Sequence, residues 1–265
     1  MGVLKQTLRA SAATVVGGVL AAAIAMPASA ADVTGYRLTN SDAEPHNWLN
    51  VHGNYAAHRY SGLTQINRSN VGDVRVAYVV PLGATALDGN LNSPNAEGPI
   101  LVDNGFLFIE DGWGNVYKID GRDGRAGKIV WVADPAIDKE AESPRSRGGA
   151  LWANMYLSNN VDGRVVAVDR DTGEFVWDQQ IARTALGYEN LEGGPDAEHF
   201  VIGEKFTAGP IAVAAASGEP SAGILLVGQS AGDWGTRGYL AGLDTRTGDE
   251  LWRTYTIPNP GDPGH

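Results

Sequence analysis

A chain of 265 residues with 43% hydrophobic residues is long enough to bury a core as one large domain or two small ones. Its formal net charge of −11 argues against nucleic-acid binding, which needs a basic face. The absence of cysteine excludes disulfides, thiolate catalysis and cysteine–metal sites.

The first 30 residues have the pattern of an export signal. Lys5 and Arg9 precede a mostly apolar run from Ala12 to Met26, and small residues follow at 27–30. We expect cleavage after residue 30, leaving an exported domain of residues 31–265 that does not span a membrane. A membrane anchor is the alternative, but the run is short and rich in Ala and Gly. Without Lys5 and Arg9 the net charge is −11 − 2 = −13, which favours a basic protein partner.

The remaining residues predict strands and turns, since no window of a dozen residues shows helical apolar spacing. Residues 47–54 indicate a turn-rich entry, and the β-branched content of residues 75–80 predicts a strand. Residues 99–109 predict a hairpin that turns at Asp103-Asn104-Gly105. Further predicted elements are strands at 115–120 and 128–131, a surface insertion at 179–206, and a hairpin of strands 206–213 and 224–228 with its tip at 217–220.

One unit recurs three times: a strand that ends in Asp, a turn closed by Gly, and a returning strand that carries Trp. In the second and third copies both spacings are four residues, and the first copy has three extra residues in its turn. The copies are Asp120 to Trp131, Asp169-Gly173-Trp177 and Asp244-Gly248-Trp252.

The chemistry of this unit favours stacked repeats. The Asp side chain can accept hydrogen bonds from amides two residues on, and the Gly supplies a left-handed turn conformation. The Trp is placed to cover a neighbouring unit, because one hairpin cannot bury both of its faces. Copies some 50 to 75 residues apart suit the blades of a β-propeller. A β-sandwich with coincidental turns is the alternative.

Several further segments are distinctive: Arg59–Asn67, Ala96–Pro99, Arg147–Ala150, Gly228–Tyr239 and Pro258–His265. In this order, and together with the repeats, they resemble the N-terminal half of the periplasmic quinoprotein alcohol dehydrogenases, which use pyrroloquinoline quinone (PQQ). The resemblance covers essentially all of the chain after residue 30. It implies an all-β fold, an eight-bladed β-propeller of which roughly the first half is present, with PQQ on the central axis.

The resemblance also implies roles for individual residues. Glu97 falls at an acid that contacts PQQ, and Arg147 at an arginine that pairs with a PQQ carboxylate through its planar fork. Thr207 falls at a hydroxyl that hydrogen-bonds the cofactor. Ser230, Ala231 and Gly232 match a tight segment against it, and Asp233 matches a carboxylate ligand of a Ca2+ or lanthanide ion.

Each of these residues has a structural alternative. Glu97 would otherwise be a solvated turn acid, Arg147 a surface charge, Thr207 a residue paired across a sheet, and Asp233 a turn residue. Four histidines show no metal spacing, and Trp113 and Trp152 are interpreted as packing residues.

Two departures from the family pattern affect the cofactor chamber. Adjacent cysteines usually precede the arginine, whereas Ala141-Glu142 stands there. Asp233 occupies a place where Glu is usual, so that its carboxylate is one methylene shorter.

The activity that the resemblance implies is oxidation of a small alcohol to an aldehyde, with electrons passed to a cytochrome c. The catalytic base would lie beyond His265, so we nominate no catalytic residue in this chain. The alternatives are one half of a split quinoprotein, completed by a separate C-terminal half-propeller chain, and a non-catalytic propeller scaffold of the cell envelope.

Overall fold

The computed structural model describes residues 31–83, 94–137, 145–182, 204–230, 236–258 and 260–261. Within them lie one five-residue helix, α1 (Gly35–Thr39), two 3-10 turns (Ser41–Ala43 and Val71–Asp73) and fifteen strands. No helix among these residues is long and apolar enough to cross a membrane. The predicted export signal lies outside the described residues.

The first sheet confirms the first predicted hairpin. Its turn is Asn104-Gly105, with φ angles of +51° and +79°, and Asp103 pairs with Phe106 across it. Both residues of such a turn need positive φ, which Asn and Gly accept at least cost. The strands are β1 (Asn95–Ala96), which lies apart, and then β2 (Leu101–Asp103), β3 (Phe106–Glu110), β4 (Val116–Asp120) and β5 (Lys128–Ala133), antiparallel in that order.

Two more sheets repeat this arrangement. The remaining strands are β6 (Arg145–Ser146), β7 (Ala150–Trp152), β8 (Met155–Asn159), β9 (Arg164–Asp169), β10 (Phe175–Gln180), β11 (Lys205–Phe206), β12 (Ile211–Ala214), β13 (Gly223–Ser230), β14 (Tyr239–Asp244) and β15 (Glu250–Tyr255). The second sheet consists of β7 to β10 in chain order. In the third sheet β13 pairs with β11 and β12 on one side and with β14 on the other, and β14 pairs with β15. β6 pairs in parallel with β1 and joins the first two sheets at their inner side. The described part of the chain is therefore a row of open sheets, a partial β-propeller.

The repeated turns have the predicted hydrogen bonds. Asp169 Oδ1 accepts from the amides of Asp171 and Thr172, both at 2.8 Å. Asp244 Oδ1 accepts from the Arg246 amide at 2.8 Å. The glycines that close the turns have positive φ, as expected for left-handed positions.

The tryptophans of the first two repeats each join their sheet to the next one. Trp131 Nε1 donates to the carbonyl of Arg170 at 3.2 Å, and Trp177 Nε1 donates to the carbonyl of Thr245 at 3.0 Å. A Cβ at Gly173 would lie 2.8 Å from the Trp131 ring, and one at Gly248 would lie 2.7 Å from Trp177. The turn glycine of one sheet thus makes room for the tryptophan of the preceding sheet.

An N-terminal segment, residues 31–54, crosses the sheets and ties them together. Val33 forms an antiparallel bridge with Ala153, and Trp48 forms one with Val102. Leu38 and Leu49 are buried in the same core cluster as β7 and β8. Residues 47–54 contain the predicted turns, although much of this stretch is buried beneath the sheets.

One predicted strand and the bounds of one predicted insertion were wrong. Residues 75–80 form no strand, because none of the described residues pairs with them and Val76 and Val79 are more than 80% exposed. β-branched content favours extended backbone but does not supply a neighbouring strand. The predicted surface insertion 179–206 is too wide at both ends, since β10 runs to Gln180 and β11 is buried. Residues 183–203 lie outside the described residues.

Candidate cofactor site

The three sheets meet where their inner strands begin, and a glycine stands at the same place in each. These are Gly98, Gly148 and Gly209. A Cβ on Gly98 would clash with the backbone of Gly148, and one on Gly209 would lie 2.7 Å from the carbonyl oxygen of Arg147. Only residues without a side chain allow the backbones to approach this closely. The Glu97 amide also donates to the Ser146 carbonyl at 2.8 Å, which fixes the first two inner strands together.

This close approach brings together three of the predicted site residues, one from the segment that precedes the inner strand of each sheet. Arg147 Nη2 lies 2.9 Å from Glu97 Oε2. Arg147 Nη1 donates to the backbone carbonyl and to the side-chain hydroxyl of Thr207, both at 3.1 Å. The side chains of Arg147 and Glu97 remain 44% and 37% exposed, so that the cluster is open to a ligand. The guanidinium is oriented by two neighbours and carries a planar donor fork suited to a carboxylate.

Ser230 lies on the edge of the same region. Lys205 pairs with Ser230 and Phe206 with Gln229, so Ser230 stands beside the strand that leads to Thr207. Its hydroxyl donates to the Lys205 carbonyl at 2.9 Å.

The metal-site prediction is not addressed by the described residues. Ala231, Gly232 and Asp233 lie outside them. Among the residues that the structure describes, no group of three metal-ligating side chains is found.

A cavity of about 480 Å³ opens beside Glu97 and Arg147. Its wall also includes Trp48, His52, Arg59 and Ala208. A volume of this size is typical of small-molecule sites. Sequence reasoning missed His52 and Arg59 as site residues, because no local pattern shows that a turn near residue 55 faces strands that begin some 40 residues later.

A buried carboxyl group lies beneath the cluster. Glu110, at the end of β3, is 4% exposed and accepts a hydrogen bond from Tyr156 Oη at 3.2 Å. Burial raises its pKa from 4.5 to about 7, although hydrogen bonds from Ser146, Ser158 and Tyr156 partly oppose this. Ser146, the last residue of β6, directly precedes Arg147, so that Glu110 supports the segment that carries the arginine. The sequence analysis did not single out Glu110, which directly follows the predicted hairpin of residues 99–109.

The two tryptophans that were interpreted as packing residues are buried. Trp152 is 0% exposed and Trp113 is 3% exposed. Trp152 Nε1 donates to the carbonyl of Ser221 at 3.0 Å, which ties the second sheet to the third. Both residues therefore belong to the core, as the sequence predicted.

Comparison with known proteins gives a consistent result. A family model labelled PQQ and described as "Glucose/ethanol/alcohol dehydrogenase, beta-propeller domain" matches residues 48–253. The dehydrogenase subunit of the quinone alcohol dehydrogenase of Acetobacter aceti is 33% identical over 238 residues, which are 88% of this chain and 28% of that protein. The quinohemoprotein alcohol dehydrogenase ADH-IIG of Pseudomonas putida is 30% identical over 246 residues, 89% of this chain and 29% of the relative.

Solved structures agree with these relatives. The quinohemoprotein alcohol dehydrogenase of Comamonas testosteroni matches with a TM-score of 0.65 and 28% identity over 87% of this chain and 30% of its own. A europium-containing methanol dehydrogenase matches with a TM-score of 0.67 and 25% identity over 85% of this chain and 34% of its own. The chain therefore spans about three tenths of the length of these relatives.

Proposed function

The chain belongs to the PQQ-dependent alcohol dehydrogenase family of β-propeller proteins, and from this premise we propose that it contributes the PQQ-binding side of such an enzyme. The reaction proposed for the complete propeller is oxidation of a small alcohol to an aldehyde, with electrons passed to a cytochrome c. The whole reaction needs more of the ring than this chain supplies, because the chain spans about three tenths of its relatives. We therefore expect no turnover with a dye acceptor from this chain alone.

The cluster of Glu97, Arg147 and Thr207 is the observation that carries this proposal. A ligand carboxylate fits the guanidinium fork, which Thr207 already orients at 3.1 Å. The open cavity beside it is of the right size for a compact polycyclic ligand. The residues present thus fit an anionic, flat cofactor.

The chain's own residues bind and orient rather than transfer protons. When bound, PQQ supplies the acceptor for the two electrons and the hydrogen of the alcohol. Arg147 neutralises a carboxylate of the cofactor, and Glu97, already 2.9 Å from Arg147, holds the guanidinium in place. Thr207 and Ser230 provide hydroxyls at the same edge. We nominate no residue of this chain as the base that accepts the alcohol proton.

The proposal extends to a metal ion and to export. Asp233 would supply a hard oxygen ligand to Ca2+ or a lanthanide ion beside the cofactor. The export signal at residues 1–30 would bring the domain 31–265 to the periplasm, where a cytochrome c is the electron acceptor. A separate C-terminal half-propeller chain and a role as a non-catalytic scaffold remain the competing proposals, and binding of PQQ decides against the scaffold.

The test is retention of PQQ. The purified chain is mixed with PQQ and Ca2+, with and without a C-terminal half-propeller from a relative, and desalted before its absorption spectrum is recorded. We expect a quinone-like band to remain. Arg147→Gln should lower the retained PQQ at least tenfold, because a charge-assisted pair is lost.

Arg246→Gln is the matched control, since Arg246 is exposed and pairs only with Asp244 in a turn. It should retain as much PQQ as the wild type. If no band remains in any mixture, including those with the C-terminal half, the dehydrogenase proposal fails and the scaffold reading takes its place.

A further inference from the structure

The cavity beside Arg147 has a second arginine on its wall. Arg59 comes from the N-terminal part of the chain, at the end of a turn that begins at His52. Its backbone amide donates to the His52 carbonyl at 3.1 Å, and the His52 amide donates to Asn50 Oδ1 at 3.0 Å. These bonds close the turn and fix both residues against the sheets through the buried Asn50.

The backbone of Arg59 is strained. Its φ is +53°, in the left-handed region that residues with a side chain seldom adopt. Such strain persists where the surroundings impose it, often at ligand sites. The strained conformation places the arginine on the cavity wall, and His52 then orients its side chain.

The Arg59 guanidinium is held but not neutralised. Its Nε donates to His52 Nδ1 at 3.2 Å, so that this ring nitrogen acts as the acceptor. Among the residues that the structure describes, no carboxylate lies within ion-pair distance of Arg59, whereas Arg147 is paired with Glu97. An uncompensated cation in a chain with a net charge of −11 is a ready partner for a ligand anion.

The two arginines carry complementary parts of one recognition site. Arg147 offers its fork from the segment between β6 and β7, and Arg59 offers its terminal nitrogens from the turn that lines the same cavity. Trp48 and Pro99 add apolar surface to the wall of this cavity. A rigid ring with carboxylates on more than one side matches this pattern, because each planar fork binds one carboxylate.

We propose that Arg59, oriented by His52, is a second carboxylate-binding residue of this cavity, so that the site selects a rigid ligand with two or more carboxylate groups. This inference rests on the proposed function, since it assigns Arg59 to the same cofactor. Arg59 and His52 would bind and position the ligand and take no part in proton transfer.

The test measures the affinity for PQQ by quenching of tryptophan fluorescence, in the preparation that retains PQQ and at low salt. Arg59→Gln should weaken binding about tenfold or more, which is the loss expected for one charge-assisted contact. The dependence of affinity on salt should also become shallower, because one fewer charge is neutralised. Arg59→Lys should restore part of the affinity, since it keeps the charge and loses the fork.

A competition assay tests the selectivity. Benzene-1,3,5-tricarboxylate should displace PQQ from the wild type better than benzoate does, and Arg59→Gln should reduce this preference. Arg75→Gln is the matched control, because Arg75 is exposed and donates only to the carbonyls of Gly72 and Val74. Circular dichroism and Tm show whether each variant is folded.

The outcomes separate this inference from the proposed function. If the wild type binds no PQQ, both fail. If the wild type and Arg75→Gln bind, Arg147→Gln binds weakly, and folded Arg59→Gln binds like the wild type, then only the role of Arg59 is overturned.

Discussion

Glu110 is a carboxyl group that the fold keeps protonated to a higher pH than an exposed glutamate. It is buried beneath the segment that carries Arg147 and accepts a hydrogen bond from Tyr156. Burial raises its pKa to about 7 from an ordinary value of 4.5. Between these two values the native chain binds more protons at this site than the unfolded chain does. The contribution of Glu110 to the free energy of unfolding is therefore full below pH 4.5 and is lost as the pH rises through 7.

Glu110→Gln should remove this pH dependence. The amide has the same shape as the protonated acid and stays neutral, so the variant should gain stability relative to the wild type between pH 5 and pH 8, by about 2 kcal/mol. Urea unfolding at both pH values measures the difference. Glu174→Gln is the control, because Glu174 is exposed at a turn. Parallel pH profiles for Glu110→Gln and the wild type would contradict this account of the buried acid.

At the scale of the elements, the tryptophans of the repeats differ in what covers them. Trp177 is 9% exposed and is bonded to the third sheet, whereas Trp252, at the same place in its repeat, is 38% exposed and lies against Gly242 of its own sheet. The same residue type at the same place of the repeat therefore has two environments. Comparing the stability of variants at the two positions measures what the contact between sheets contributes.

Trp177→Ala should cost about 3–5 kcal/mol of unfolding free energy, because it opens a cavity between two sheets and leaves the Thr245 carbonyl without its donor. Trp252→Ala should cost less than half as much in the same chain. Urea unfolding followed by circular dichroism compares them without relying on tryptophan emission. Equal losses of unfolding free energy in the two variants would show that the contact of Trp177 with the following sheet does not stabilise the fold.

The turn glycines permit a similar comparison. Gly248 has φ +76° and a Cβ there would lie 2.7 Å from Trp177, while Gly124 has φ +67° and open space around it. Gly124→Ala should lower the free energy of unfolding only by the backbone strain, about 1 kcal/mol. Gly248→Ala should lower it by about 2–3 kcal/mol in all, because the new methyl group must also displace the Trp177 ring. Thermal or urea unfolding measures both. A difference of zero would mean that Trp177 moves aside freely.

These elements also show what a sequence does and does not reveal. The hairpin at Asn104-Gly105 and the Asp–Gly turns were predictable, because local residue chemistry fixes a tight turn. Residues 75–80 were wrongly predicted as a strand, because a strand depends on a partner that composition does not specify. The site was half predictable: the resemblance identified Arg147, but Arg59 and Glu110 become visible only when distant segments pack together.

At the scale of the whole molecule, one buried carboxylate joins three parts of the fold. Asp103, at the end of β2, is 1% exposed and lies 2.6 Å from Arg170 in the second sheet and 2.8 Å from Arg37 in the N-terminal segment. Arg37 also pairs with Glu44 at 2.6 Å. Arg170 is fully buried, so its charge has no access to water if Asp103 is lost.

Asp103→Asn should destabilise the chain by about 3–5 kcal/mol, because it leaves buried arginine charge uncompensated. Asp244→Asn is the matched control: that carboxylate pairs with exposed Arg246 within one turn, and its loss should cost about 1 kcal/mol or less. Urea unfolding at pH 7 measures both. If the two variants were equally stable, the network would be dispensable for holding the sheets together.

The close approach of the backbones at Gly98, Gly148 and Gly209 determines which positions of the cavity can change in evolution. Each glycine is preceded by a position on the same backbone frame, and those positions hold an acid at 97, a guanidinium at 147 and only a methyl group at 208. The three glycines cannot be replaced without separating the backbones, but the residue before each glycine can vary. Ligand preference can therefore change at one sheet without altering the other two. Ala208 lines the cavity with only a methyl group. A longer polar residue at position 208 would enter the cavity without disturbing the backbone that carries it.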